Sequence, residues 1–347
     1  MIRVLLVDDS PLALYVLERI LARTPDIRVV GTALNGREAL SLVASFSPDV
    51  ICLDLHMPVM NGLEFIRAIM TSTPRPILVV SISVEPGGAG VFELLEAGAV
   101  DVLAKPGLLD AENQRFAAEF VDKVRVVAGV RVFRRRQCVA GAPPAMEPMP
   151  AVPPALAVLG ASTGGPQALK QILGALPAGF PLPLVCVQHI GGEFLPEMLA
   201  WLGQTTPLAI RQARAGEYPE PGSVHFPPAD RHLEFDRAGR FLLTCRPPFG
   251  GHRPSVTVSM EAAARQFGAG AVGVLLTGMG RDGADGLASI AKAGGLTIAQ
   301  DKATSVVFGM PGEAVAIGAA RHVLPLEQIA PALIALVKRG TKASNGN

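Results

Sequence analysis

The chain has little of what would tie it to nucleic acid, to a bilayer or to a metal–thiolate site. Among 347 residues there are one tryptophan and two tyrosines, too few aromatic platforms for stacking single-stranded bases. Neither sign of charge is in excess, with 31 Lys and Arg against 30 Asp and Glu, so the basic stripe that neutralises a phosphate backbone is missing. No stretch supplies the roughly 18 consecutive apolar residues that a spanning helix requires. The opening run Met1–Val7 meets acids at Asp8 and Asp9, too soon for a secretory leader. The four cysteines, Cys52, Cys138, Cys186 and Cys245, form no C-x-x-C pair and no zinc spacing. Cys52 and Cys186 lie inside apolar runs and read as core. These absences predict a cytoplasmic protein that binds no nucleic acid and does not insert into a membrane.

What is present is apolar material for two cores: 49% of the residues are hydrophobic, and the length suits two domains. Residues 1–127 alternate short apolar runs with amphipathic stretches. The runs Ile2–Val7, Arg28–Gly31, Val50–Leu53, Ile77–Val80 and Val100–Leu103 read as strands of a parallel sheet covered by helices on both faces. Residues 128–154 form a linker, basic over Arg131–Arg136 and then rich in Pro, Ala and Met over 141–154, where proline density forbids a helix or a central strand. Over 155–338 the alternation resumes, with strands expected at Ala155–Gly160, Pro183–Gln188, Ala271–Thr277 and Leu296–Ala299 and a short one at Val323–Leu324. Between them, residues 207–250 are dense in Pro and Gly, and runs such as Ser223–Phe226 and Phe241–Thr244 predict a small antiparallel β excursion within a doubly wound α/β domain. The last helix is expected to end near Lys338, leaving 339–347 as a polar tail.

In a parallel sheet, ligands bind beyond the carboxyl ends of the strands. In the first domain those ends carry Asp8 and Asp9, Asp54, Ser81 and Lys105. Three carboxylates at one edge repel each other unless a cation sits among them, and an oxygen-donor set of this kind suits Mg²⁺. A hydroxyl and a lysine beside them complete a phosphate-sized site, which points to phosphoryl transfer onto a carboxylate. Val7–Ser10, Asp54–Gly62, Val80-Ser81 and Lys105-Pro106 together resemble the signature of the two-component receiver domain. That resemblance implies a flavodoxin-like (βα)₅ fold, phosphorylation of Asp54, and Mg²⁺ held by Asp8 or Asp9 (Asp9 foremost), Asp54 and the backbone carbonyl of His56. Ser81 and Lys105 would then contact the phosphoryl group, supplied by a histidine kinase. Val102 stands where receivers often carry an aromatic switch residue.

In the second domain an apolar run enters Gly160-Ala161-Ser162-Thr163-Gly164, followed by a helical pattern over Gln167–Leu176. This is the G-x-S-x-G arrangement that projects a serine hydroxyl from a strand–turn–helix corner; a phosphate-binding turn or a simple helix cap would read the same way. The next strand ends at His189, and a later one leads into Gly278–Gly283 with Asp282 at the edge. His225, His232, His252 and His322 are other histidines to weigh as a base. Gly278-x-Gly280-x-x-Gly283 also fits a dinucleotide fingerprint, with Asp301 placed 18 residues on for a ribose hydroxyl. Against it, Asp282 would set a negative charge inside the phosphate loop, and the serine turn would be left without a role.

Gly160–Pro166, Gln188-His189, His252–Val256, Leu275–Gly286 and Phe308–Ala314 are similar to the catalytic domain of the chemotaxis methylesterase (CheB) family. The resemblance implies hydrolysis of glutamate methyl esters on chemoreceptors, with glutamine deamidation at the same site, by Ser162 as nucleophile, His189 as acid–base and Asp282 as orienting carboxylate. Backbone N–H groups of Met279 and Thr163 would face the oxyanion, and the esterase site would need no cofactor. In the family the receiver restrains the esterase until it is phosphorylated. Arg281, Thr257 and the segment following His189 depart from the family pattern, and are expected to touch the pocket rim and receptor choice. A phosphorylation-dependent binding module with an inactive esterase fold is the alternative from a different functional class.

Overall fold

The computed structural model describes residues 1–81, 90–105, 114–130 and 152–344. The chain divides into two compact units, Met1–Arg136 and Gln137–Asn347. The basic run and residues 141–151 of the proline-rich stretch lie outside the described residues.

The first unit is built from β1 (Ile2–Val7), α1 (Pro11–Ala22), β2 (Ile27–Ala33), α2 (Gly36–Phe46), β3 (Val50–Leu53), α3 (Gly62–Ser72), β4 (Ile77–Ser81), α4 (Val91–Ala97), β5 (Asp101–Ala104) and α5 (Gln114–Ala128). Its five strands are parallel in the order β2-β1-β3-β4-β5. β3 and β4 are buried along their whole length, as expected for strands covered on both faces. The helices start where their caps dictate. The Ser10 hydroxyl accepts from the Ala13 N–H ahead of Pro11, and Asn61 with Glu64 forms a reciprocal capping box, each satisfying N–H groups the helix leaves unpaired.

The second unit comprises β6 (Leu156–Ala161), α6 (Gly165–Ala175), β7 (Leu184–Gln188), α7 (Leu195–Gly203), β8 (Ala209–Gln212), β9 (Ser223–Phe226), β10 (His232–Phe235), β11 (Phe241–Thr244), α8 (Val256–Phe267), β12 (Ala271–Leu275), α9 (Ala284–Lys292), β13 (Leu296–Gln300), α10 (Met310–Ala316), β14 (His322–Leu324) and α11 (Leu326–Ser344). Seven strands form one parallel sheet in the order β14-β13-β12-β6-β7-β9-β8. The core is apolar, centred on residues such as Val158, Val185, Met260, Leu275 and Ile290.

Two expectations need correction. Ser223–Phe226 is not part of an antiparallel excursion: it pairs in parallel with both β7 and β8 and extends the main sheet. Only β10 and β11 form an antiparallel hairpin. α11 also continues past Lys338 to Ser344, so most of the stretch expected as a polar tail is helical.

Both sheets have a strand from which the chain winds outward in two directions. In the first unit this reversal falls between β1 and β3. In the second, β6 lies between β7, which follows it in the chain, and β12, which comes much later. The crevice beyond the carboxyl ends at such a reversal is where α/β sheets bind ligands.

Candidate active site

In the first unit, Asp8 and Asp9 follow β1 and Asp54 follows β3, so the acids flank the reversal. One carboxylate oxygen from each of Asp8, Asp9 and Asp54 lies within 4.8 Å of the others. Lys105 Nζ, beyond β5, is 2.6 Å from Asp8 and 3.1 Å from Asp54. Burial pushes the Asp8 carboxyl above its ordinary value, and the Lys105 ammonium works against that rise. Ser81 is buried at the end of β4, where its carbonyl accepts the Lys105 N–H at 2.9 Å. His56 is exposed on the loop after β3. Two buried carboxylates and an exposed third make an oxygen-donor set open to water, which fits the partly hydrated shell Mg²⁺ prefers. Val102 is buried within β5, and its β-branched side chain has little rotamer freedom.

In the second unit, β6 and β7 pair in register, Ala161 opposite Gln188, and the His189 N–H donates to the Ala161 carbonyl at 3.1 Å. Ser162 and His189 are therefore the first residues beyond two adjacent strands, with backbones about 5 Å apart. On the other side, the Ser162 N–H donates to the Thr277 carbonyl at 3.1 Å, which draws the turn after β12 against the serine. Gly164, at φ 76°, lets the chain turn sharply into α6.

His189 Nε2 lies 2.9 Å from Asp282 Oδ2. The carboxylate also accepts the Ser255 hydroxyl at 2.8 Å and the Val256 and Thr257 N–H groups at 2.8 and 3.0 Å. It thus sits at the N-terminus of α8, where free N–H groups and the helix dipole favour an anion. Burial opposes its ionisation. The His189 hydrogen bond and charge, with the donors from Thr257 and Ser255, outweigh that penalty and hold the Asp282 carboxyl well below the usual carboxylate range. His189 Nδ1 is buried without a hydrogen-bond partner. Among the described residues the Ser162 hydroxyl has none either. With Nε2 committed to Asp282, Nδ1 is the ring nitrogen left without a partner.

Of the two expected oxyanion donors, Met279 is exposed on the turn after β12, and its N–H carries no hydrogen bond among the described residues. Thr163 is buried, its carbonyl accepting the Thr277 hydroxyl at 3.0 Å. Of the other histidines, His225, His232 and His322 are engaged elsewhere. His225, inside β9, accepts the Glu220 N–H at 3.3 Å, and burial together with the Arg211 charge lowers its pKa. His232 accepts the Ser255 N–H, and His322 opens β14.

Several residues serve this site through contacts that only the fold creates. The Gln188 side-chain amide, buried, donates to the carbonyls of both Ser162 and His189, at 2.9 and 3.0 Å. Thr257 is not on the pocket rim: it is buried, and its hydroxyl accepts the Gly283 N–H at 2.7 Å, tying the Asp282 turn to α8. Arg281 is exposed and forms a two-pronged pair with Asp285 at 3.2 and 2.7 Å.

The glycine pattern expected for a dinucleotide is used otherwise. A Cβ at Gly278 would lie 2.3 Å from Met310 Sδ and 2.8 Å from Ser162 Cβ, so this glycine lets Ser162 approach. Asp301 accepts the Thr304 N–H and hydroxyl at 2.9 and 2.6 Å and caps a local turn. Gly278→Ala is accordingly expected to displace Ser162 and lower kcat roughly a hundredfold, with a stability loss of about 1–3 kcal/mol from overpacking. Steady-state rates and thermal melts measure the two effects.

Hydroxyl, imidazole and carboxylate at one sheet reversal, in a chain whose other unit holds an acid pocket, define a two-unit α/β protein that joins a receiver-like domain to a serine-hydrolase-like site. The comparisons with known proteins are specific. The family model for the CheB methylesterase matches residues 157–333, and that for the response regulator receiver domain matches residues 4–113. A Nitrosospira multiformis protein named protein-glutamate methylesterase/protein-glutamine glutaminase is 43% identical over 345 residues, with 97% of each chain covered. A Pseudomonas aeruginosa relative of the same name, numbered 2, is 43% identical, with 100% of this chain and 99% of the relative covered. The crystal structure of the Thermotoga maritima CheB methylesterase catalytic domain is similar at a TM-score of 0.52 and 39% identity, covering 54% of this chain and 100% of that one. The chain belongs to the CheB methylesterase family and carries a response regulator receiver domain. No helix among the described residues is long and apolar enough to cross a membrane.

Proposed function

We propose that this chain is a protein-glutamate methylesterase and protein-glutamine glutaminase, accelerated by phosphorylation of Asp54. The observation that carries the proposal is His189, next to Ser162 across two adjoining strands, with Nε2 on the Asp282 carboxylate at 2.9 Å. In this reading Ser162 Oγ gives its proton to His189 Nδ1 and bonds to the γ-carbonyl carbon of a glutamyl methyl ester. Asp282 stabilises the imidazolium that forms. The oxyanion takes hydrogen bonds from the Met279 and Thr163 N–H groups. The bond to the methoxy oxygen breaks, and methanol leaves with the proton from Nδ1. A water then gives a proton to Nδ1 and attacks the acyl carbon, Ser162 recovers its proton, and glutamate is released. A glutamine side chain gives the same acyl intermediate with ammonia as the leaving group.

The receiver spans 1–127, the linker 128–154, and the esterase runs from 155 through α11. Asp8, Asp9, Asp54 and the His56 carbonyl would hold Mg²⁺, which supplies neutralisation for phosphoryl oxygens when bound. Ser81 and Lys105 contact the phosphoryl group on Asp54 and bias the receiver toward its active state. The phosphodonor is a histidine kinase, the substrate is the cytoplasmic helices of a methyl-accepting chemoreceptor, and the reaction takes place in the cytoplasm.

The test is methanol release from methylated receptor membranes with and without acetyl phosphate and Mg²⁺. Wild type is expected to be stimulated, and Asp54→Asn to keep the basal rate with no stimulation. Equal stimulation of both chains would remove Asp54 from its role. Receptor binding without methanol release would favour the binding-module reading instead.

A further inference from the structure

The His189 ring does not stand alone on its Asp282 hydrogen bond. The His252 imidazole stacks on it face to face, with ring centroids 3.9 Å apart and planes within 2° of parallel. From this geometry we infer that His252 is a positioning residue, which fixes the plane of the His189 ring and thereby aims Nδ1 at Ser162. The inference rests on the reading of His189 as the base.

A ring held by one hydrogen bond at one edge can still tilt and swivel about that bond. His189 lies just beyond the end of β7, its backbone tied to Ala161 and Gln188 but its ring free to turn about the side-chain bonds. A second flat ring in van der Waals contact limits the tilt, because a swing of the His189 ring toward it would bring their atoms into overlap.

The stacking ring is itself held in place. Phe249 and His252 exchange both backbone hydrogen bonds, each 3.0 Å, closing a tight loop. Three residues later the same strand of chain caps α8 with Ser255, and Ser255, Val256 and Thr257 grip the Asp282 carboxylate. The segment 252–257 therefore touches both partners of the His189–Asp282 pair, the ring through its face and the carboxylate through three donors. Neither contact is made by a residue that takes part in bond making.

Two variants separate ring plane from bulk. His252→Phe keeps a flat ring, and His252→Leu keeps comparable apolar volume without one. For full-length protein activated with acetyl phosphate and Mg²⁺, His252→Leu is expected to lose roughly ten- to a hundredfold in kcat for methanol release, with KM changed less than about twofold, since a misaimed base slows chemistry and not binding. His252→Phe should retain kcat within about threefold on the same reasoning. Wild-type kcat in His252→Leu, or a His252→Phe chain as slow as His252→Leu, would overturn the inference. NMR of the unaltered protein supplies a check that needs no variant: the carbon-bound ring protons of His189 should resonate upfield under the stacked ring, and unshifted signals would count against the stack. Ser162→Ala run alongside reports on the active-site reading alone, so the two can fail separately.

Discussion

Ser162→Ala is expected to lower kcat for methanol release from methylated receptor by at least about three orders of magnitude. The substitution removes one oxygen and leaves the His189–Asp282 hydrogen bond, the Gln188 bridge to both backbones and the Gly278 turn in place. What remains keeps the Met279 and Thr163 N–H groups proposed for the oxyanion but offers no attacking atom. Because the Ser162 hydroxyl makes no hydrogen bond among the described residues, its loss leaves no buried partner unsatisfied, and stability should move by only about 0.5 kcal/mol. A large activity loss at constant melting temperature is therefore the signature to look for. Loss of both together would mean that the residue acts through the fold.

Asp282→Asn should be as damaging by a different route. The carboxylate accepts from four groups: His189 Nε2, the Ser255 hydroxyl, and the Val256 and Thr257 N–H groups. An amide offers one oxygen to this set and turns an N–H₂ toward donors. That amide can donate to Nε2 and drive the imidazole proton onto Nδ1, the nitrogen required to receive the serine proton. The expected drop in kcat is about 10³–10⁴-fold, with substrate affinity little changed. Each buried donor left without an acceptor costs about 1–3 kcal/mol, so this variant, unlike Ser162→Ala, should also melt at lower temperature. The acid side carries a further sign. Asp282 titrates well below its unfolded value, so its contribution to stability is complete above about pH 4 and is lost as pH falls below that. Wild type should lose stability more steeply than Asp282→Asn on acidification below about pH 4. Parallel curves would mean the carboxylate is not held as the structure has it.

Much of this was legible because parallel strands announce their ends. Asp8, Asp54, Ser162, His189 and Asp282 each follow an apolar run, and the rule that ligands gather beyond carboxyl ends does the rest. The direction of pairing was not legible. Ser223–Phe226 is a four-residue apolar run, and nothing in four residues tells a parallel partner from an antiparallel one; only its contact with β7 does. The continuation of α11 past Lys338 was hidden by Gly340 and a polar composition, because helix propensity alone does not fix where a long helix frays. The support of the site was hidden most completely. Gln188, Ser255, Thr257 and His252 act through backbone carbonyls, N–H groups and a ring face, and such contacts exist only once distant segments have met. Thr257 shows the risk of reading them from sequence alone. Expected at the rim, it is buried beneath the Asp282 turn.

The account stands on Ser162 as the attacking atom with His189 as its base. Its most direct test is covalent: treat the full-length protein with a fluorophosphonate, digest it, and locate the adduct by mass spectrometry. The adduct should fall on Ser162, and its rate of formation should collapse in His189→Ala. An adduct on another residue, or undiminished labelling of Ser162 without the imidazole, would contradict it.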